Sequence, residues 1–595
     1  MFKLNFLPIL LFTFFSSLFF SFTWINSFYI SSRNVDFQKY YDYINYFYGI
    51  DVDIDYGQGV FYYFLIAKRV ISKVDNVNLS NSEFIVSTAV HEVNFIFFII
   101  GLAGFFLFLK EKKFNTESII ASLIILLFFP QTIYLRSVMK PEIIAFAFTP
   151  WLLIYIERYF ENRDIKNLFY VIPFISLIIN SKASTAGMLG LYLIFSYYKI
   201  FKKIKKKNFI LLLITFLSVI SLTQLENYYI TGNSLIERPY DIEYDFKADP
   251  KIIFNTNLNE LVREPFFTIK DNGETYHSRS VINIILLDTF GDYFNQLFDD
   301  QVNYFSKHRK NFFVDSNEST FIENREISYR GVYSWFLIND LNRVRKLLSL
   351  FFSVIFYMSI LYLALKDKKN KKYYLAPFAG LVVLYVNSLG IPSNNFNPIK
   401  ADTFKVFYFS SLLCISLLFL LVKIFRKINF FKILVLLFFV CSFLFISGHP
   451  RENSQNLSEH LVYSNQFNPF CSINNFLIFE NNILKTMFPS GNINNLKSDC
   501  SEKGNFTDNL KQRAAHDKQN LNKCIDKDNV IINNSYNKST SNLTECRIYA
   551  LEQVKNENNL INPRAPLISL LTGMMCIIFI IYETQLFVRK KHKSD

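Results

Sequence analysis

The feature that most limits what this chain can fold into is a series of long apolar runs. A bilayer core about 30 Å thick needs about 20 apolar residues per helix, and about twelve runs near that length occur. They lie near 5–28, 93–109, 118–135, 142–158, 168–180, 184–201, 208–225, 347–365, 374–391, 404–425, 429–447 and 565–588. The composition agrees, since 51% of the 595 residues are hydrophobic and 68 are phenylalanine, too apolar for a string of soluble domains. The expected fold class is an all-α polytopic membrane protein with about twelve transmembrane helices and large extracytoplasmic loops.

A net charge of +14 would suit a nucleic-acid partner. The cations, however, stand in short clusters directly after the apolar runs, where they set topology, so nucleic acid is excluded as a partner. With a cytoplasmic N-terminus, the clusters Lys110/Lys112/Lys113, Arg158/Arg163/Lys166, Lys199 to Lys207, Lys366 to Lys372, Arg426/Lys427/Lys432 and Arg589 to Lys593 all fall inside. Both termini are then cytoplasmic, and Ser31 to Asn94, about Glu226 to Lys346, Pro392 to Thr403 and His449 to Pro563 lie outside. Runs 168–180 and 374–391 decide this topology, because losing either reverses everything after it. The first run reads as a retained helix: it is longer than a signal core and has no clear Ala-x-Ala site. A Phe/Ile/Asn/Lys-heavy composition suggests an AT-rich bacterial source, which places the chain in the inner (plasma) membrane.

Five regions follow. Residues 1–225 form an N-terminal transmembrane module with a first outer loop at 31–92, and 226–346 a large outer loop. Residues 347–448 hold further transmembrane helices, 449–563 a cysteine-containing outer segment, and 564–595 the final helix and basic tail. Cys471, Cys500, Cys524 and Cys546 all lie in the last outer segment, and an even number on the oxidising side suggests two disulfides. His91, His277 and His308 are scattered without ligand spacing, so no metal site is assigned. No Walker loop, Rossmann fingerprint or nucleophile elbow is present, so energy must arrive with the substrate.

Two stretches carry candidate chemistry. Within Ser31 to Val70, Asp36 stands just past the first helix, ahead of Tyr40, Tyr41, Asp42 and Tyr43; then come Asp55-Tyr56-Gly57-Gln58-Gly59 and an apolar segment with a basic end. A carboxylate shielded by aromatic rings gains proton affinity and can take a proton from a hydroxyl. Spacing alone does not choose Asp36 over Asp42, Asp51, Asp53 or Asp55.

The second stretch is the short turn Leu135 to Glu142 between the third and fourth helices. Pro141 suits a helix start, and Glu142 sits near that helix's positive end. Arg136 and Lys140 are cations on the face that topology leaves poor in cations, and both suit phosphate oxygens. The plain alternative is a capped hairpin with snorkelling charges. Lys182, in Asn180-Ser181-Lys182, is a third outer cation. Leu287 to Tyr293 puts Asp288 and Asp292 near the bilayer, suited to lining an acceptor groove or to a turn with a helix cap.

The order of a first helix, an acidic outer loop, Tyr-Gly-Gln-Gly-Val-Phe-Tyr-Tyr-Phe-Leu, and a short hairpin with Arg136 and Pro141-Glu142 resembles the glycosyltransferase C superfamily. Its members are polytopic enzymes that use polyprenyl-phosphate-linked sugars, as in protein mannosyltransferases and aminoarabinose transferases. The resemblance covers roughly the first 210 residues. It implies an inverting glycosyltransferase with a polyprenyl-phosphate sugar donor and a glycan, lipid or protein acceptor. Asp36 would be the general base, with Arg136, Lys140 and Lys182 on the donor phosphate. Glu142 would orient those cations or hold a divalent cation, and Tyr40, Tyr41, Asp288 and Asp292 would belong to the acceptor groove. Gly57-Gln58-Gly59 stands where many members carry prolines, and no paired acidic motif follows the first helix, which leaves the cofactor requirement open. The alternatives are a polysaccharide polymerase or ligase, a lipid or glycan flippase, and an assembly role for the outer segments.

Overall fold

The computed structural model describes residues 8–20 except 9, Tyr40, Tyr43, Ile44, Phe47, 58–74, 82–198, 204–232, Leu261, 280–291, 331–390, 405–426 and 565–594. Among these residues there is no strand. In chain order the helices are α1 (Leu10–Phe20), α2 (Val60–Val74), α3 (Ser82–Glu111), α4 (Thr116–Leu127), α5 (Pro130–Ser137), α6 (Glu142–Asn162), α7 (Lys166–Ser181) and α8 (Ala183–Tyr197). After them come α9 (Lys206–Thr231), α10 (Val281–Thr289), α11 (Gly331–Lys366), α12 (Lys371–Tyr374), α13 (Ala376–Gly390), a 3-10 turn (Val406–Phe409), α14 (Ser410–Phe425) and α15 (Leu567–Ser594).

Six helices contain apolar spans of membrane length: Ala89–Glu111, Glu142–Asn162, Lys206–Thr231, Leu347–Lys366, Val406–Phe425 and Leu567–Phe587. The pair α4 and α5 makes a seventh if its two halves are one span bent by 65°. The break has a local cause. Pro130 has no amide hydrogen and its ring clashes with the preceding turn, so α4 stops and Pro130 starts a new helix. Shorter apolar helices at Leu10–Phe20, Lys166–Ser181, Ala183–Tyr197 and Ala376–Val386 occupy four more of the expected runs. Run 429–447 lies outside the described residues. The structure thus supports a helical membrane protein.

The centre of the bundle is α6, which packs on α3 and α7. Its side chains are buried almost throughout, Trp151 and Phe146 completely. Close approach to α3 depends on small residues there: a Cβ on Gly101 would meet the Phe146 ring at 2.5 Å, and one on Gly104 would meet Trp151 Nε1 at 2.6 Å. Contacts of this kind hold helices together where no hydrophobic drive separates helix from lipid. By contrast, α9 turns Ile210, Leu211, Ile214, Leu217 and Leu225 outward, as a helix facing hydrocarbon does.

Both ends of α6 carry a buried carboxylate. Glu142 and Glu157 are 15 residues apart in the sequence, or about 22 Å at 1.5 Å per residue. These two acids mark two polar layers of the bundle.

Candidate functional site

At the Glu142 end, the 65° bend turns α5 so that its C-terminus delivers Val138 to Pro141 beside α6. Helix C-termini leave carbonyl oxygens without partners. Asn94 supplies them: its Nδ2 donates to the carbonyl oxygens of Leu135 at 3.2 Å, Arg136 at 3.3 Å and Val138 at 3.0 Å. Its Oδ1 accepts a 2.8 Å bond from the Tyr62 hydroxyl. One buried amide therefore fixes α2, α3 and α5 together. Burial, with a further push from Glu142, holds the Tyr62 phenol well above its ordinary range, so it stays a donor.

Lys140, Glu142 and Lys182 form the centre of this layer. Lys182 Nζ donates to Glu142 Oε1 at 2.6 Å and lies 4.0 Å above the Tyr408 ring. Lys140 Nζ lies within 5.8 Å of the same ring, 5.9 Å of Phe407 and 6.0 Å of Tyr40. Two ammonium groups thus lie near one aromatic ring, one of them bonded to a buried carboxylate, which makes a strong local field in a dry setting. The other carboxylate oxygen, Glu142 Oε2, is buried without a hydrogen-bond partner among the described residues. Lys182 reaches the layer because it is the one extended residue between α7 and α8, which turns the chain back on itself.

The tyrosine-rich stretch forms the adjoining wall. Tyr63 stacks on Tyr43 at 4.4 Å and on Tyr40 at 5.4 Å. Burial, followed by Tyr40, Tyr43 and then Glu142, pushes the Tyr63 phenol well above its usual range. Gly59, at φ +71°, donates its amide to the Asn180 carbonyl at 2.8 Å and sits against Pro141. Parts of three stretches singled out in the sequence, Gly59–Tyr63, Lys140–Glu142 and Asn180–Lys182, therefore meet. Tyr62, Tyr63 and Asn180 stood inside the quoted stretches without a role, Asn94 served only as a segment boundary, and Tyr408 was not named. A polar Asn94 inside an otherwise apolar stretch was the signal available for one of them.

Arg136 is placed elsewhere. Its guanidinium is fully buried on the α3 side, bonded to the His91 carbonyl and 2.6 Å from His91 Nε2, with the Phe20 and Phe95 rings 5.6 and 5.4 Å away. Asp288 also has a bracing role: its Oδ2 accepts from the Val406 amide at 3.1 Å, and its carbonyl accepts from Gln131 Nε2 at 2.6 Å. It thereby holds the 3-10 turn that carries Phe407 and Tyr408 against the lysines. Asp36, Tyr41, Asp42 and Asp292, and the cysteines Cys471, Cys500, Cys524 and Cys546, lie outside the described residues. Cys414 and Cys576 are buried free thiols.

The opposite layer is an ionic clamp. Glu157 accepts from Lys112, Tyr197 and Tyr373, each at 2.6 Å, and from Lys372. Arg158 bonds Glu111 and Glu583, tying α3, α6 and α15. Lys423 reaches Asp367 at 3.0 Å. Members of the basic clusters at 110–113, 158–166 and 366–372 therefore gather at one end of the bundle, away from Lys140 and Lys182.

Residues 82–226 match a family model described as a 6-pyruvoyl-tetrahydropterin synthase related domain, a membrane protein. The matched part runs from α3 to α9 and includes Arg136, Lys140, Glu142 and Lys182. No curated protein and no solved structure matches the chain.

Proposed function

We propose that this chain is an integral-membrane glycosyltransferase of the glycosyltransferase C kind. It would carry about twelve spans in the bacterial inner membrane and keep both termini in the cytoplasm. It transfers a sugar from a polyprenyl-phosphate donor to an extracytoplasmic glycan, lipid or protein acceptor, with inversion. The observation that carries this reading is the buried layer of Lys140, Lys182 and Glu142 against the Tyr408 and Tyr40 rings. The basic clusters at the other end of the bundle support an outward-facing layer under the inside-positive rule.

In the reaction, the acceptor hydroxyl loses its proton to Asp36, its oxygen bonds to the anomeric carbon, and the bond from that carbon to the phosphate oxygen breaks with the electron pair leaving on phosphate. Lys140 and Lys182 stabilise the charge that builds there. Base catalysis supplies about 10² to 10⁴ in rate, so help to the leaving phosphate is needed as well. Asp36 is joined to Tyr40 by four residues of chain, a span of at most about 14 Å. Asp42, next to Tyr43, is the substitute base.

The test compares lipid-linked sugars and their transfer products in cells carrying the native chain, Asp36→Asn and Glu142→Gln. The donor should accumulate and the product disappear in both variants. An unchanged donor pool together with unchanged products in folded variants removes the reading.

A further inference from the structure

Asp288, near the C-terminal end of α10, is bonded at once to two elements that shape the lysine layer. Its Oδ2 accepts from the Val406 amide at 3.1 Å, at the start of the 3-10 turn that bears Tyr408. Its backbone carbonyl accepts at 2.6 Å from Gln131 Nε2 on α5, whose C-terminal end leads into Lys140. The residue is buried, and its neighbours are pinned to α11: Thr289 Oγ1 lies 3.0 Å from the Tyr357 hydroxyl, and Ser349 Oγ donates to the Phe290 carbonyl at 2.9 Å. Asp288 is therefore a fixed post against which both elements are set.

The other three residues of the turn are moored to three further helices. Phe407 meets the Tyr134 ring of α5 edge to face at 4.2 Å, and the Tyr408 carbonyl accepts from Thr185 Oγ1 of α8 at 3.2 Å. Phe409 packs so closely on α13 that a Cβ on Gly380 would lie 2.5 Å from it. The internal hydrogen bonds of a 3-10 turn have poor geometry, so its position is set by contacts of this kind. What they fix is one ring: Tyr408 stands 4.0 Å from Lys182 Nζ and 5.8 Å from Lys140 Nζ. Cation–ring attraction and the local field both fall with distance, and a misplacement of about 1 Å at a reacting centre can cost about 10²-fold in rate.

We infer that Asp288 is a positioning residue of the site: it sets the distance from the Tyr408 ring to the Lys140 and Lys182 ammonium groups, and it does not line an acceptor groove. The role needs a fixed hydrogen-bond acceptor rather than a charge. An amide oxygen accepts the Val406 N–H as a carboxylate oxygen does, whereas a leucine leaves that N–H buried and unsatisfied and frees the turn to move. The consequence for sugar transfer rests on the proposed function; the effect on the ring and the two lysines does not.

The test labels the lysine amines of the full chain in phosphatidylcholine nanodiscs with acetic anhydride and reads each site by mass spectrometry. Asp288→Leu should speed labelling of Lys182 at least fivefold, while Lys112 and Lys372 in the opposite layer stay within twofold. Asp288→Asn should label as the native chain does. Val406→Pro removes the amide hydrogen where proline suits the start of a helical turn, so it should reproduce Asp288→Leu, and it decides the matter should that variant fail to fold. Tyr408→Leu should also speed Lys182 labelling, and adding Asp288→Leu to it should change the rate no further. Native labelling of Lys182 in folded Asp288→Leu or Val406→Pro overturns the role. So does an equal rise at Lys112 and Lys372, fast labelling of Asp288→Asn, or additive effects in the double variant. In cells, transfer products should fall at least tenfold in Asp288→Leu and stay within twofold of native in Asp288→Asn; equal losses in both return Asp288 to the acceptor groove. Labelling needs no sugar, so its outcome stands even if Asp36→Asn leaves transfer untouched, and its failure leaves the transfer reading in place.

Discussion

The Gly59 amide donates to the Asn180 carbonyl oxygen at 2.8 Å, joining the tyrosine-rich segment to the turn that carries Lys182. The bond requires a backbone at φ +71°, and a Cβ there would lie 2.6 Å from the Tyr63 ring and 3.3 Å from Pro141. Tyr63 has little room to yield, being buried and stacked on Tyr40 and Tyr43. Gly59→Ala should therefore destabilise the protein by about 1–3 kcal/mol, from the left-handed backbone and the displaced ring together. Thermal unfolding in detergent measures it, and an unchanged midpoint would show that the contact imposes no constraint.

Asn94 faces three carbonyl oxygens with its amide nitrogen and the Tyr62 hydroxyl with its oxygen. Asn94→Leu leaves those groups buried and unsatisfied, at about 1–3 kcal/mol for each group not rescued by water. Asn94→Asp should be worse, because a carboxylate in the same place repels all three carbonyls. Expression yield and unfolding midpoint should rank native above Leu above Asp; an aspartate variant as stable as the native chain contradicts the assigned bonds.

The apolar runs were legible because length and charge-free composition are local properties. Described helices coincide with eleven of the twelve, and 429–447 is outside the described residues. Detail was lost where one residue overrides a run: Pro130 splits the expected helix 118–135, and a single extended residue, Lys182, turns α7 back into α8. Partners separated by long stretches of chain were not legible at all. Asp288 reads as a groove carboxylate or part of a helix-cap turn, and nothing near it in the chain points to Val406, 118 residues away, whose amide it accepts. Glu226 likewise gives no hint that its carboxylate caps α15 through the Ile568 and Ser569 amides. Arg136 and Lys140 look equivalent, four residues apart in one short stretch, yet the bend before Pro130 and the start of α6 send them to different neighbours.

Asp367, in the turn after α11, gives a pH signature. Burial pushes its carboxyl up, but hydrogen bonds from Asn370 and Lys423, together with the charge of Lys423, outweigh that and hold it below the ordinary carboxylate range. A depressed folded value stabilises the protein above the unfolded pKa, and that stability is lost as pH falls through the folded value. Native protein should lose more stability than Asp367→Asn between neutral pH and the acid side of the carboxylate range. Parallel unfolding curves for the two across that window would refute the arrangement.

The last prediction concerns Glu142 and Lys182, whose bond is 2.6 Å long with the Glu142 side chain 1% exposed. Removing one member of a buried pair leaves the other charge uncompensated, a loss of about 3–5 kcal/mol, whereas removing both with volume kept is often close to neutral. Glu142→Gln should be milder than Lys182→Met, because Lys182 keeps the Tyr408 ring as a second partner while Glu142 Oε2 already lacks one. The double variant should recover most of the lost stability. Its transfer activity should stay absent, since the field acting on the donor phosphate is gone even though the fold is restored. Stability and activity recovering together would mean that the pair only braces α6 against the turn between α7 and α8, and the reaction centre would then have to be sought elsewhere.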